Sequence, residues 1–126
     1  MTAARNSNKD ILPLDKTYLI RYTYNMKREQ TVAFSKWFDK LCATVQDKIV
    51  DYIDRVLCGN TSNCESVGKG VYEIKINYQK GYRVYYTMLQ GKAVLLLLCG
   101  GHKDKQQNDI KHAHAIKKYL EGKYGK

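Results

Sequence analysis

Between Gly70 and Gly101 the chain reads GVYEIKINYQKGYRVYYTMLQGKAVLLLLCGG. This run admits few architectures. Tyr72, Ile74, Ile76 and Tyr78 alternate with Glu73, Lys75 and Asn77, the period-two pattern of a strand with one face in a core. Gln79-Lys80-Gly81 reads as a three-residue turn with glycine at the left-handed position. That turn pairs Tyr78 with Tyr82, Ile76 with Val84 and Ile74 with Tyr86 on the core face, and Asn77 with Arg83 and Lys75 with Tyr85 on the other. Gln90-Gly91 turns the chain again into Ala93–Cys99, which is apolar on both faces and therefore expected to be a covered central strand. Three consecutive antiparallel strands follow from this stretch alone.

The flanking sequence supplies helices. Phe34, Trp37, Phe38 and Leu41 fall at i, i+3, i+4 and i+7, one apolar stripe, with Thr31 or Gln30 near its start. Val45, Ile49, Tyr52, Ile53, Val56 and Leu57 form a second stripe, with Thr44 as expected N-cap and Gly59-Asn60 as stop. The short link predicts a helical hairpin lying on the core face of the sheet. Gly59–Lys69 reads as a loop and Gln106–Glu121 as a last helix, with Ile110, Ala113, Ile116 and Leu120 on one side. That helix is expected to cover Val94, Leu96 and Leu98 on the face that carries Lys75 and Arg83. Upstream, Thr17–Asn25 alternates as a strand that can join the sheet only by non-local pairing, and residues 1–16 read as a flexible arm. The expectation is one α+β domain over residues 17–126, an antiparallel sheet with an N-terminal helical hairpin on one face and a C-terminal helix, in the order β-α-α-β-β-β-α.

Charge narrows the partners. The 126 residues hold 22 Lys and Arg against 12 Asp and Glu, a formal charge of +10. An excess of that size in one small domain favours a polyanion, most simply nucleic acid. Eleven tyrosines among those cations suit the exposed bases of RNA, and equally suit a β-core. The four cysteines, Cys42, Cys58, Cys64 and Cys99, have no zinc-like spacing, and Cys42, Cys58 and Cys99 fall in patterns that look buried. With no signal peptide and no apolar run long enough for a bilayer, a reducing cytoplasm, no membrane, no metal and no cofactor are expected.

The stretches FSKWFDKL, GVYEIKINYQKGYRVYY and VLLLLCGGHKDKQQNDI occur here in one order. In that order the chain, from about Tyr18 to Tyr119, resembles the RelE/ParE toxin superfamily, and most nearly its HigB-like branch, often called addiction-module killer proteins. The resemblance implies the toxin of a type II toxin–antitoxin pair, a metal-independent endoribonuclease (mRNA interferase) that cuts ribosome-bound mRNA and so inhibits translation. It implies a cognate antitoxin, typically a helix-turn-helix protein, and operator DNA contacted only through the complex. ParE-like members share the fold and inhibit DNA gyrase, so fold alone does not decide between the two. A basic RNA-binding module without catalysis is the third reading.

Cleavage by the ribose 2′-hydroxyl needs a base, an acid and cations around a transition state more charged than its substrate. By resemblance, Arg83 is the arginine of the Gly-Tyr-Arg block, suited to grip a phosphate with two hydrogen bonds. Lys75 matches a strand lysine, and Lys103 falls where ribonuclease members carry a second arginine or a lysine. His102 beside it can trade a proton near neutral pH. Two positions depart from the pattern: Glu73 stands where RelE-like enzymes have a second lysine, and Asp109 where they have a functional tyrosine. Either carboxylate is a candidate general base. Lys69, Lys80, Lys105 and Lys111 are candidate RNA contacts, as is Tyr85 by stacking. His112 and His114 lie two apart on a helix, off a common face, and make a poor metal pair.

Overall fold

The computed structural model describes residues 26–91 and 93–124. The expected arm 1–16 and the expected strand Thr17–Asn25 lie outside the described residues. Nine elements follow in order: β1 (Lys27–Gln30), α1 (Val32–Asp39), α2 (Ala43–Leu57), β2 (Cys64–Ser66), β3 (Val71–Ile76), β4 (Tyr82–Leu89), β5 (Val94–His102), a 3-10 turn (Lys103–Lys105) and α3 (Gln106–Tyr124). The five strands form one sheet in the order β1-β5-β4-β3-β2.

The α+β class, the helical hairpin and the three consecutive strands are as expected. The sheet, however, is mixed, because β1 runs parallel to β5, with Lys27 opposite Val94 and Gln30 opposite Leu97. Lys27–Gln30 has no apolar alternation; its backbone pairing with β5 makes it a strand. Cys64–Ser66, inside the expected loop, adds a short edge strand on β3.

The β3–β4 hairpin keeps the expected faces in a different register. Ile76 opposes Tyr82, Ile74 opposes Val84, and Lys75 opposes Arg83. The chain turns over Asn77–Gly81, with Gln79 at φ 52° and Gly81 at φ 89°. Gly81 N–H donates to the Tyr78 carbonyl at 2.9 Å. The register moves by two residues relative to the shorter turn, and an even shift leaves every side chain on its face.

One core lies between the sheet and the helical hairpin. It joins Phe34 of α1 and Ile49 and Ile53 of α2 to Ile74, Ile76, Val84, Tyr86, Leu95 and Leu97. Complete burial of Phe34 alone is worth roughly 1.5–3 kcal/mol. Thr31 caps α1: its hydroxyl accepts from Phe34 N–H at 3.1 Å and donates to the Leu98 carbonyl at 2.6 Å. Leu98 is the extra residue of a β-bulge, since Tyr85 opposes Cys99 while Tyr86 opposes Leu97. The cap thus also takes a carbonyl that the bulge withdraws from the ladder. Cys42, not Thr44, is the N-cap of α2.

A second core lies under α3, as expected for that helix. Ala113, Ile110 and Ile116 pack on Val71, Tyr85, Leu96, Leu98 and Cys99. The bulge turns both Leu98 and Cys99 toward this side. Of the three cysteines expected to be buried, only Cys99 is; Cys42 and Cys58 at the two ends of α2 are exposed. The apolar stripe of α2 faces the sheet along its middle, and its capping residues fall off it.

Candidate functional site

Lys75, Arg83 and Gly101 form a row across β3, β4 and β5. His102 and Lys103 end β5 and follow it, and the β3–β4 loop with Lys80 closes the same end of the sheet. The start of α3 seats there too. Most of the sequence-predicted residues therefore meet at one end of the sheet, on the face that α3 covers.

Three glycines make this end possible. A Cβ on Gly101 would stand 2.0 Å from Asp109 Oδ2, so the missing side chain leaves the space that this carboxylate takes. A Cβ on Gly100 would stand 2.3 Å from the Trp37 ring on the opposite face. Gly81, in the left-handed region, lies under the Lys103 side chain, which approaches a Cβ there to 2.9 Å. Lys103 N–H also donates to the Gly81 carbonyl, at 3.3 Å.

Arg83 is largely covered, with 13 % of its side chain exposed. Its Nη1 donates to the Tyr82 carbonyl at 3.1 Å, and its Nε lies 3.9 Å from Glu73 Oε2 without a hydrogen bond. Glu73 is 1 % exposed. The Tyr85 hydroxyl donates to its Oε2 at 3.0 Å and Gln106 Nε2 donates to the same oxygen at 2.6 Å. Burial, and then the negative charge of Glu73, push the Tyr85 hydroxyl far above its ordinary range, so it remains a donor.

Tyr85 was a candidate either to stack on a base or to cover the apolar residue beside it; it is wholly buried, a member of the core under α3, which fits the second. Its ring sits beneath the helix and its hydroxyl is taken by Glu73. Glu73 itself, a candidate base, does not open to solvent.

Asp109 lies in the first turn of α3, with Oδ2 buried and unpaired. Burial raises its carboxyl above the ordinary aspartate value, against the cations of His112, Lys105 and His102. His102 packs its ring edge-on against Tyr82, with centroids 5.3 Å apart. Lys75 is held by Glu65 of β2, Nζ to Oε1 at 2.5 Å, with both side chains substantially exposed.

Lys80, Lys103 and Lys105 are exposed around this end. Lys69 is not part of it. It sits at φ 56° in the turn before β3, roughly 20 Å from the Lys75 end by strand rise. Lys111 is exposed on α3, beyond Asp109. His114 Nε2 reaches the carbonyls of Val67 and Gly68 at 3.0 and 3.1 Å and so ties α3 to the β2–β3 turn. Among the described residues no three His, Cys, Asp or Glu side chains gather for a metal ion, and no helix is long and apolar enough to cross a membrane.

Gln106 was read only as the start of the last helix and not as a site residue, and the partnership of Glu65 with Lys75 escaped the sequence reading. Gln106 opens α3 immediately after three polar residues, and no periodicity marks it. Only the tertiary approach of α3 to β3 brings it to Glu73.

A family model described as "Phage derived protein Gp49-like" matches residues 36–121. An uncharacterised protein of Haemophilus influenzae is 37% identical over 91 residues, covering 71% of this chain and 91% of the relative. Among solved structures, a mutant of the E. coli toxin RelE in the free state superposes with a TM-score of 0.57 at 20% identity, covering 69% of this chain and 90% of that one. The toxin–antitoxin complex RelBE of E. coli gives 0.53 at 23% identity, over 61% and 95% of the two chains. RelBE2 of Mycobacterium tuberculosis gives 0.51 at 13%, over 63% and 99%. At these identities the structures establish a common fold.

Proposed function

Because this chain belongs to the Gp49-like family of phage-derived proteins and has the fold of RelE toxins, we propose that it is the toxin of a type II toxin–antitoxin pair and an endoribonuclease acting on ribosome-bound mRNA. The observation that carries this reading is the Lys75–Arg83–Gly101 row. It sets a forked cation and a point cation side by side, with His102 and Lys103 on the rim.

An RNA strand lies across this end with its scissile phosphate against Arg83. The guanidinium offers its Nη2 edge, which no hydrogen bond among the described residues engages. Lys75 and Lys103 flank it and add charge to a phosphorane-like transition state. The 2′-hydroxyl attacks phosphorus, the 5′-oxygen leaves, and in this reading His102 and Asp109 exchange the two protons. The reaction so written runs on side-chain protons and cations, without a metal. Removing Arg83 costs about 3 kcal/mol of barrier, about a hundredfold.

The solved RelE structures that include an antitoxin support a cognate antitoxin here as well. An acidic segment is the natural complement of this basic end, since opposite charge steers association. A helix-turn-helix antitoxin would bring the complex to operator DNA, with the toxin itself making no DNA contact. The cytoplasm is the compartment where ribosomes, mRNA and such a partner meet.

The test is induced expression with mRNA ends mapped by primer extension, wild type against Arg83→Ala. New cuts inside translated codons that vanish in the variant support the ribosome-dependent nuclease. Growth arrest with intact mRNA and a DNA-damage response supports gyrase inhibition instead. RNA binding that weakens evenly with each lysine removed, with no cuts, leaves a binding module.

A further inference from the structure

Glu73 presents a carboxylate where the sheet is otherwise sealed. It opposes Tyr85 in the β3–β4 register and shares that residue's burial. An apolar side chain would fill the same place without the cost of desolvating a carboxylate. Three groups converge on one of its oxygens: the Tyr85 hydroxyl at 3.0 Å, Gln106 Nε2 at 2.6 Å and, at 3.9 Å, Arg83 Nε. Two of these come from β4 and the third from the first residue of α3. Tyr85 and Gln106 hold this oxygen by two hydrogen bonds, and the guanidinium stands on a third side of it.

The guanidinium is equally constrained. Its Nη1 is tied to the Tyr82 carbonyl and its buried Nε has no acceptor closer than Glu73. Nη1 is thus fixed to the backbone, Nε has the Glu73 charge beside it, and no hydrogen bond among the described residues engages Nη2. A general base must come within about 3 Å of the 2′-hydroxyl it deprotonates. Glu73, enclosed on these sides, has no such approach.

We propose that Glu73 is a positioning residue for Arg83, itself aimed by Tyr85 and Gln106, so that the seating of the first turn of α3 sets the direction in which the arginine meets a phosphate. This rests on the ribonuclease reading for its consequence in catalysis, though not for its geometry. A misplacement of about 1 Å in such a group costs up to about a hundredfold in rate, so the residue that holds the fork matters although it touches no RNA.

The experiment uses the full chain and the variants Glu73→Gln, Gln106→Ala, Arg83→Ala, Arg83→Lys and Glu73→Gln/Arg83→Ala. Two readouts are taken. The first is the side-chain Nε–Hε resonance of Arg83, assigned by its disappearance in Arg83→Lys. The second is single-turnover cleavage of mRNA on purified ribosomes. The expected result is a displaced Arg83 resonance in both Glu73→Gln and Gln106→Ala, in proteins that still unfold cooperatively. Cleavage in Glu73→Gln falls roughly ten- to hundredfold with ribosome affinity unchanged, and Glu73→Gln adds no loss to Arg83→Ala.

An unmoved Arg83 resonance overturns the proposal, as do losses that multiply in the double variant. So does a pH–rate profile in which Glu73→Gln alone removes the basic group. If Glu73→Gln does not fold, the resonance in Gln106→Ala decides alone, and no displacement there overturns the proposal. If the wild type cuts no RNA, the ribonuclease reading falls while the resonance still judges the geometry.

Discussion

The Asp109 carboxylate occupies the space that a side chain at Gly101 would need, since a Cβ there would stand 2.0 Å from Oδ2. The glycine in β5 and the aspartate in the first turn of α3 are therefore one feature. Gly101→Ala must move the carboxylate. Overpacking of this kind costs about 1–3 kcal/mol, to be read as a lower urea midpoint with unchanged m. Shortening the aspartate in the same chain, as Gly101→Ala/Asp109→Ala, removes the collision and recovers most of the stability. Cleavage falls in the single variant because the displaced carboxylate is the proposed partner of His102 in proton exchange.

Asp109 predicts a pH dependence of stability. Burial raises its carboxyl above the ordinary value of 3.8, while the cations of His112, Lys105 and His102 oppose the rise. Between the ordinary value and the raised one, the folded state holds more proton than the unfolded state, so this group's contribution falls as pH rises through that window. Above the window the penalty is constant. Asp109→Asn carries no such penalty. Urea titrations from pH 3 to 8 should give a variant close to wild type at the acid end and more stable than wild type from the window upward. A wild type that gains on Asn as pH rises would show instead that the ionised carboxylate is favourably paired.

Much of this was legible in the chain, for a physical reason. Alternation along Val71–Ile76 and the unbroken apolar run into Cys99 report burial directly, and burial is what fixes strand faces. The expected register was two residues off, because turn length is set by backbone conformations at Gln79 and Gly81 that composition does not reveal. β1 was invisible because a strand paired through backbone alone, with exposed side chains, leaves no hydrophobic pattern. At the candidate site, Lys75, Arg83, His102, Lys103 and Asp109 come to one end of the sheet. Glu73 and Tyr85 were put on the right face, and the last helix was expected over Val94, Leu96 and Leu98, but not over these two. Alternation tells which side of a sheet a residue takes; it does not tell that a helix 33 positions onward will cover it.

The Lys75–Glu65 pair predicts a gain rather than a loss. Both side chains are open to water, at 41% and 62% exposure, where ion pairs add little to stability. Lys75 lowers the carboxyl of Glu65 by a hydrogen bond and by its charge, and in turn Glu65 competes with phosphate for the ammonium. Glu65→Gln should leave the thermal midpoint unchanged within error and lower the KM for RNA a few-fold, an advantage that shrinks as salt is raised. Lys75→Ala should raise KM, and Glu65→Gln should then bring no benefit. A Glu65→Gln variant with wild-type KM in the Lys75 background would mean that the pair does not face RNA.

The cysteines should separate sharply in alkylation. Cys42 is exposed at the N-cap of α2, and a hydrogen bond with the Thr44 hydroxyl, with further help from the Val45 backbone, lowers its thiol below the usual range. Cys99 is buried under α3, and loss of solvation, followed by the nearby Asp109 charge, pushes its thiol up to about 12. Thiolate is the reactive form, so the two differ in both chemistry and access. Iodoacetamide at pH 7.5, followed by peptide mass spectrometry over time, should modify Cys42 first, with Cys99 unreactive until the protein unfolds. Thr44→Val should slow Cys42 toward the rate of Cys58, which is also exposed and whose thiol makes no hydrogen bond among the described residues. Early labelling of Cys99 in the native protein would mean that α3 lifts from the sheet on the timescale of the reaction, exposing Tyr85 and Glu73 as it does so.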